Sequence, residues 1–164
     1  MKSILFIRHA KSSWDSPTLK DFDRPLNERG NKDAPMMAKR LLDKKINIDF
    51  FISSPAVRAL TTATYFHQAY KAKKDHLITI PALFHASVDV FFDVIKQIDN
   101  KYDTVAIFSH NPGITAIVNS LGVARVDNMP TCSVFGVHAE INNWKQFDAG
   151  VKQFWLFDYP KLEQ

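Results

Sequence analysis

The chain has a single cysteine, Cys132, in 164 residues. That excludes an internal disulfide framework and a multi-cysteine zinc site, and it suits a reducing compartment. Long apolar runs are missing too. The first, Ile4 to Ile7, is cut by Arg8, short of the roughly 7–15 residues of a secretory core and the roughly 20 of a membrane span. The expectation is a cytoplasmic protein with no membrane partner. Arginine-rich tracts and base-stacking motifs are absent, so no nucleic acid is expected as a partner. Repeats, low-complexity stretches and Gly/Ser linkers are absent as well, so no internal boundary is drawn. The length fits one domain, 1–164, at roughly 100–200 residues per domain. It is too small for a two-domain kinase or dehydrogenase. The formal charge of +4 favours an anionic partner only weakly, and most of it reads as solvated surface.

The apolar residues that are present alternate between two patterns. Short branched or aromatic runs at 2–7, 49–52, 77–80 and 104–108 read as strands. Between and after them come helical spacings: Ala34, Met37, Ala38, Leu41 and Leu42; a helix from Pro55 to about Tyr70; Val88, Phe91, Phe92, Ile95 and Ile98; and Ile114, Ile117, Val118 and Leu121. Pro35 belongs in the first turn of its helix or kinks it. Ser54 reads as an N-cap with Pro55 at the first helical position, and Ser87 as a second cap. Segments 133–140 and 151–157 close the sheet, with room for one antiparallel edge. Residues 11–30 form a long loop, a kind of segment that is often functional. Strands alternating with helices imply an α/β fold of three layers, α/β/α, with a mostly parallel central sheet.

In such sheets ligands bind beyond the carboxyl ends of the strands. Three of those ends carry Arg8-His9, Ser53-Ser54-Pro55-Ala56-Val57-Arg58 and Ser109-His110. A parallel sheet brings them to one edge. Arginine offers a charged planar fork that matches phosphate oxygens, a helix start favours an anion, and a neutral imidazole is a nucleophile. The set Arg8, His9, Arg58 and His110 therefore points to phosphoryl transfer through phosphohistidine, without a metal and without another cofactor. Each residue alone has a duller reading: a histidine after a strand is usually structural, and Arg58 is an ordinary surface residue. Their shared placement is what carries weight. His67, His76 and His138 default to structural roles, as does His85 on position alone. Cys132 lacks the basic surroundings of a nucleophile.

These residues are also recognisable. The sequence resembles the histidine phosphatase superfamily, with its phosphoglycerate mutase-like fold, and within it the SixA-type phosphohistidine phosphatases. The resemblance rests on Ile4-Leu5-Phe6-Ile7-Arg8-His9-Ala10-Lys11-Ser12-Ser13-Trp14, on Asp21-Phe22-Asp23-Arg24-Pro25-Leu26-Asn27-Glu28-Arg29-Gly30, on the Ser53 to Ala59 stretch, on Ser109-His110-Asn111-Pro112-Gly113 and on Tyr159-Pro160-Lys161-Leu162. It implies that His9 is the phosphorylated nucleophile, that Arg8, Arg58 and His110 complete the pocket, and that Ser12 touches the phosphate. Two departures matter. Ala10 stands where many relatives have glycine. Segment 83–87, where the resemblance places a carboxylic acid, reads Leu83-Phe84-His85-Ala86-Ser87. A general acid contributes typically about 10²–10⁴-fold, mainly when an alkoxide must leave. Its absence favours a phosphoramidate on a protein, with His85 as a candidate acid. The short chain leaves little material for a lid, which fits a phosphorylated protein as partner. The alternatives are a small-molecule phosphomonoesterase using His85 or Asp89, and a phosphate-binding module without turnover. The oligomeric state is left open.

Overall fold

Lys2–Arg8 (β1) carries no polar alternation, and all of it but Arg8 is buried. A strand apolar on both faces must lie inside a sheet covered on both sides. In the computed structural model, which describes residues 1–163, β1 sits there. Phe50–Ser53 (β2), Leu77–Thr79 (β3), Thr104–Ser109 (β4), Val134–Ala139 (β5) and Lys152–Asp158 (β6) complete a six-stranded sheet in the order β3-β2-β4-β1-β5-β6. β1 pairs in parallel with β4, β4 with β2, and β2 with β3. β5 runs antiparallel to both β1 and β6. The single antiparallel edge expected from sequence is thus two antiparallel ladders. The β5–β6 ladder follows from the connection between them, which holds only a 3-10 turn, Trp144–Gln146, and no crossover helix that would allow parallel pairing.

Alternate strand residues feed two cores. Leu5, Ile7, Phe51, Ala106 and Phe108 pack beneath Glu28–Asp43 (α1) and Val57–Ala69 (α2). Ile4, Phe6, Val105, Ile107 and Phe135 pack beneath Val88–Lys96 (α3) and Gly113–Ser120 (α4). The three layers follow directly. Each fully buried phenylalanine contributes about 1.5–3 kcal/mol, and Phe6, Phe51, Phe66, Phe91, Phe108, Phe135 and Phe147 all have negligible exposure.

Three local expectations need correction. α1 begins at Glu28, six residues before its first apolar position, because Asn27 caps it by accepting from the Gly30 N–H at 2.9 Å. Pro35 therefore lies in the helix interior and not in the first turn. Its missing N–H leaves the carbonyl of Asn31 without an intrahelical donor, on an exposed residue where water can serve. Ser54 is not the N-cap of α2. That position is Ala56, which has no capping side chain, while the Ser54 hydroxyl accepts from the Ala56 N–H at 3.2 Å and turns into the sheet edge. Ser87 does cap α3, accepting from Val90 N at 3.4 Å.

The register fixes where the site falls. Arg8 is opposite Ser109, and Ser53 opposite Phe108. Backbone bonds from His9 N to Ser109 O (3.1 Å) and from Ser54 N to Phe108 O (2.9 Å) carry the ladder one residue further. Gly113 lets the start of α4 lie against the 84–87 segment, because any Cβ there would collide with the Ala86 carbonyl oxygen. Replacing Gly113 with alanine should cost about 1–3 kcal/mol, the range for overpacking. Urea melts of the two proteins would measure it, and an unchanged midpoint would contradict the contact.

Candidate active site

His9 follows the end of β1 and is buried, 6% exposed. Its Nδ1 lies 2.7 Å from the Ala10 carbonyl oxygen. A carbonyl only accepts, so Nδ1 carries the proton and Nε2 presents its lone pair. Arg58 Nε donates to that Nε2 at 3.3 Å. Burial above all, and then the nearby Arg58, Arg8 and Arg24, outweigh the bond to Ala10 and lower the His9 pKa to about 3. The ring is therefore neutral at physiological pH, with one nitrogen free to attack phosphorus.

His110 lies beside it, the ring centroids 5.1 Å apart. Its Nε2 is 2.7 Å from Ser54 Oγ, whose other bond is from Ala56 N–H. Ser54 has its own proton to give, and in the tautomer where His110 Nε2 accepts it, Nδ1 carries the ring proton. Burial, followed by His9, Arg58 and His85, brings the His110 pKa down to about 3 against a raising effect from Asp21. Arg8 donates from Nη1 to Met129 O at 2.8 Å. Among the described residues, Arg8 Nε, His110 Nδ1 and Ser133 Oγ are the buried side-chain polar atoms with no protein partner. Two of these three orphans belong to this cluster. Unmet buried polar atoms are costly, and an oxyanion that reached either one would satisfy it.

A second ring of contacts comes from the 11–27 loop. Arg58 donates from Nη1 to the Asp21 carbonyl at 2.7 Å and from Nη2 to the Asp21 carboxylate at 3.1 Å. The other carboxylate oxygen of Asp21 takes Arg24 Nε at 3.0 Å. Arg24, itself buried, donates to Ser12 Oγ at 2.8 Å and to Ser13 O at 3.1 Å, and its guanidinium lies 3.4 Å from the ring centroid of exposed Trp14. Partial burial raises the Asp21 carboxyl, but the bonds and charges of Arg24 and Arg58 prevail and hold it below the usual range.

The structure therefore brings Arg8, His9, Arg58 and His110 together at the sheet edge. Ser12 is buried and tied to that cluster through Arg24 and Asp21. His85 is exposed and adopts φ 77°, a strained conformation for a residue with a side chain. With His110, Val88, Pro112 and Ala116 it lines a cleft of about 390 Å³. Asp89 does not line that cleft. His67 bonds to Lys73 O at 2.7 Å, and His138 to Ser3 Oγ at 2.7 Å beneath Trp155. Cys132 is buried, which pushes its thiol well above the ordinary range. Its backbone N–H braces the carbonyls of Arg8 and His9 at 3.1 and 3.0 Å. Asp21, Arg24 and Ser54 were not read as site residues from sequence. Charged loop residues look solvated, and a serine before proline looks like a cap.

A family model described as the histidine phosphatase superfamily, branch 1, matches residues 4–83. An uncharacterised protein of Mycobacterium leprae is 30% identical over 125 residues, 74% of this chain and 74% of its own length. The protein histidine phosphatase SixA complexed with tungstate superposes with a TM-score of 0.80 at 21% identity, over 96% of this chain and 97% of that one. A mycobacterial glucosyl-3-phosphoglycerate phosphatase does so with a TM-score of 0.67 at 14% identity, over 95% of this chain and 98% of its own. At these identities the structural likeness establishes the fold.

The two depressed imidazoles bear on stability. Between pH 6.5 and about 3 the unfolded chain takes up protons that folded His9 and His110 refuse. Stability therefore falls as pH falls through that window, by up to about 1.4 kcal/mol per pH unit for each histidine. Urea melts at pH 7 and pH 4.5 should show a smaller acid loss for His9→Gln than for the unaltered protein. Equal losses would contradict the assignment.

Proposed function

The chain belongs to the histidine phosphatase superfamily, and on that premise we propose that it is a metal-independent phosphohistidine phosphatase acting on a protein. The observation that carries this reading is the His9 ring. Its Nδ1–H is fixed on Ala10 O, and its Nε2 lone pair is held beside Arg58, with the His110 ring 5.1 Å away and buried, partnerless polar atoms on Arg8 and His110.

In the first step His9 Nε2 attacks phosphorus in line. The bond from phosphorus to the substrate nitrogen breaks, and its electron pair stays on the departing imidazole. Arg8, Arg58 and His110 Nδ1–H stabilise the equatorial oxygens, with Ser12 as a further donor from its free hydroxyl proton. The His9 Nδ1–H bond to Ala10 O strengthens as positive charge develops on the ring. In the second step water attacks phosphorus, the Nε2–P bond breaks with its electron pair returning to Nε2, and phosphate leaves as the dihydrogen anion with both of the water's protons. His9 returns to its starting tautomer. An imidazole is a far easier leaving group than an alkoxide, so the lack of a carboxylate at 83–87 does not hinder this route. The two arginines supply the charge that a metal would otherwise bring. Cytoplasmic location is part of the same reading, in keeping with a lone buried free cysteine.

A second reading, a small-molecule phosphomonoesterase with His85 as acid, draws on one observation: His85 lines the cleft next to His110.

Rapid quenching followed by mass spectrometry should trap phosphate on His9. His9→Ala should abolish both label and turnover, and His110→Ala should slow turnover by about 10²–10³-fold. A protein that turns over at the same rate with His9→Ala refutes the nucleophile. In a panel of phosphohistidine peptide, acyl phosphate and sugar phosphate, the phosphoramidate should be the best substrate and His85→Ala should leave its rate nearly unchanged. A sugar phosphate that is preferred, and that loses its rate in His85→Ala, would establish the second reading instead.

A further inference from the structure

The Arg58 guanidinium has five N–H donors. Nε donates to the nucleophilic nitrogen of His9, and Asp21 takes one donor from each terminal nitrogen, through its carbonyl and through its carboxylate. Two N–H groups remain for phosphoryl oxygens, and Nε–H becomes a third once phosphorus occupies His9 Nε2. The two bonds to Asp21 thereby fix the plane of the fork. An arginine on an otherwise uncapped first helical turn has many rotamers, and its charge is unfavourable at a helix start. Asp21 removes both difficulties.

Asp21 is itself anchored. It opens a 3-10 turn, Asp21–Asp23, and its second oxygen is held by Arg24, which is tied to Ser12 and Ser13. The chain of contacts Arg58–Asp21–Arg24–Ser12 links the first turn of α2 to the loop that follows His9. Three arginines crowd the nucleophile, and Asp21 is the carboxylate that touches two of them.

We propose that Asp21 is a positioning residue, which aims the Arg58 fork at the phosphoryl group on His9 and restrains the pocket from holding an oxyanion in its ground state. The proposal rests on the reading of His9 as nucleophile and Arg58 as its phosphate ligand. Its signature is a split. Removing the negative charge favours a bound oxyanion, while releasing Arg58 costs the transition state, where orientation matters most.

Asp21→Asn, which is nearly isosteric and half-exposed, tests this directly. With a phosphohistidine peptide, kcat should fall at least about fivefold, within the range for a misplaced catalytic contact. The dissociation constant for tungstate, measured by calorimetry, should stay the same or fall. Asp21→Glu, which keeps the charge, should retain more of kcat than Asp21→Asn. A smaller drop in kcat overturns the proposal, and so does a parallel loss of kcat and tungstate affinity, which would mark a merely structural role. Tungstate binding needs no turnover. A protein that binds tungstate but never labels His9 fails the functional reading and takes the Asp21 proposal with it, whereas a labelled His9 without the split fails the Asp21 proposal alone.

Discussion

The hydrogen bond from His9 Nδ1 to the carbonyl of the next residue is the constraint on which the site depends. It decides which ring nitrogen carries the proton, and so which carries the lone pair. It costs the chain no extra side chain, because the acceptor is backbone. That backbone is held in turn by the Cys132 N–H, which bonds the carbonyls of Arg8 and His9. A histidine crowded by cations and buried as deeply as this one would be a poor base, and because it stays neutral far below ordinary imidazole range it suits the nucleophile's part in the proposed reaction. The surrounding arginines therefore do two things at once. They add to the effect of burial in keeping the ring neutral, and in the proposed reaction they offer the charge that a phosphoryl group needs.

Much of this was legible in the sequence because it follows from sheet geometry. Apolar runs that end in Arg8-His9 and Ser109-His110 must bring those ends together if the strands are parallel neighbours, and β1 and β4 are. The same rule placed Arg58 near them, one turn beyond β2. What stayed hidden depends on loops and on single bonds. Asp21 and Arg24 sit in a stretch with no periodicity, and their importance arises only from which partners the folded loop reaches. Ser54 looked like a helix cap because serine before proline usually is one. In this fold the helix starts later, and the hydroxyl goes to His110 instead. The start of α1 was invisible for a related reason: its first turns are polar, so only the cap at Asn27 marks them.

The charge balance can also be read at finer grain than a net +4. Three arginines converge on one pocket, and Asp21 contacts two of them. Elsewhere, pairs such as Lys39 with Asp43 are exposed and contribute little. Arg40 and Lys44 close on buried Asp158 at the end of β6, which fastens the last strand to α1. Positive charge is thus concentrated where a few guanidinium groups are held, and the net charge of the chain says little about it.

The site is divided between parts of unequal permanence. His9, Arg8 and His110 hang from the ends of β1 and β4, the two innermost strands, whose amides should exchange with solvent only when the whole protein unfolds. Asp21 and Arg24 belong to a surface loop, whose amides are free to exchange through small local openings. His9 is therefore as durable as the fold itself, while half-exposed Asp21, proposed to steer its arginine partner, sits on a loop outside the sheet.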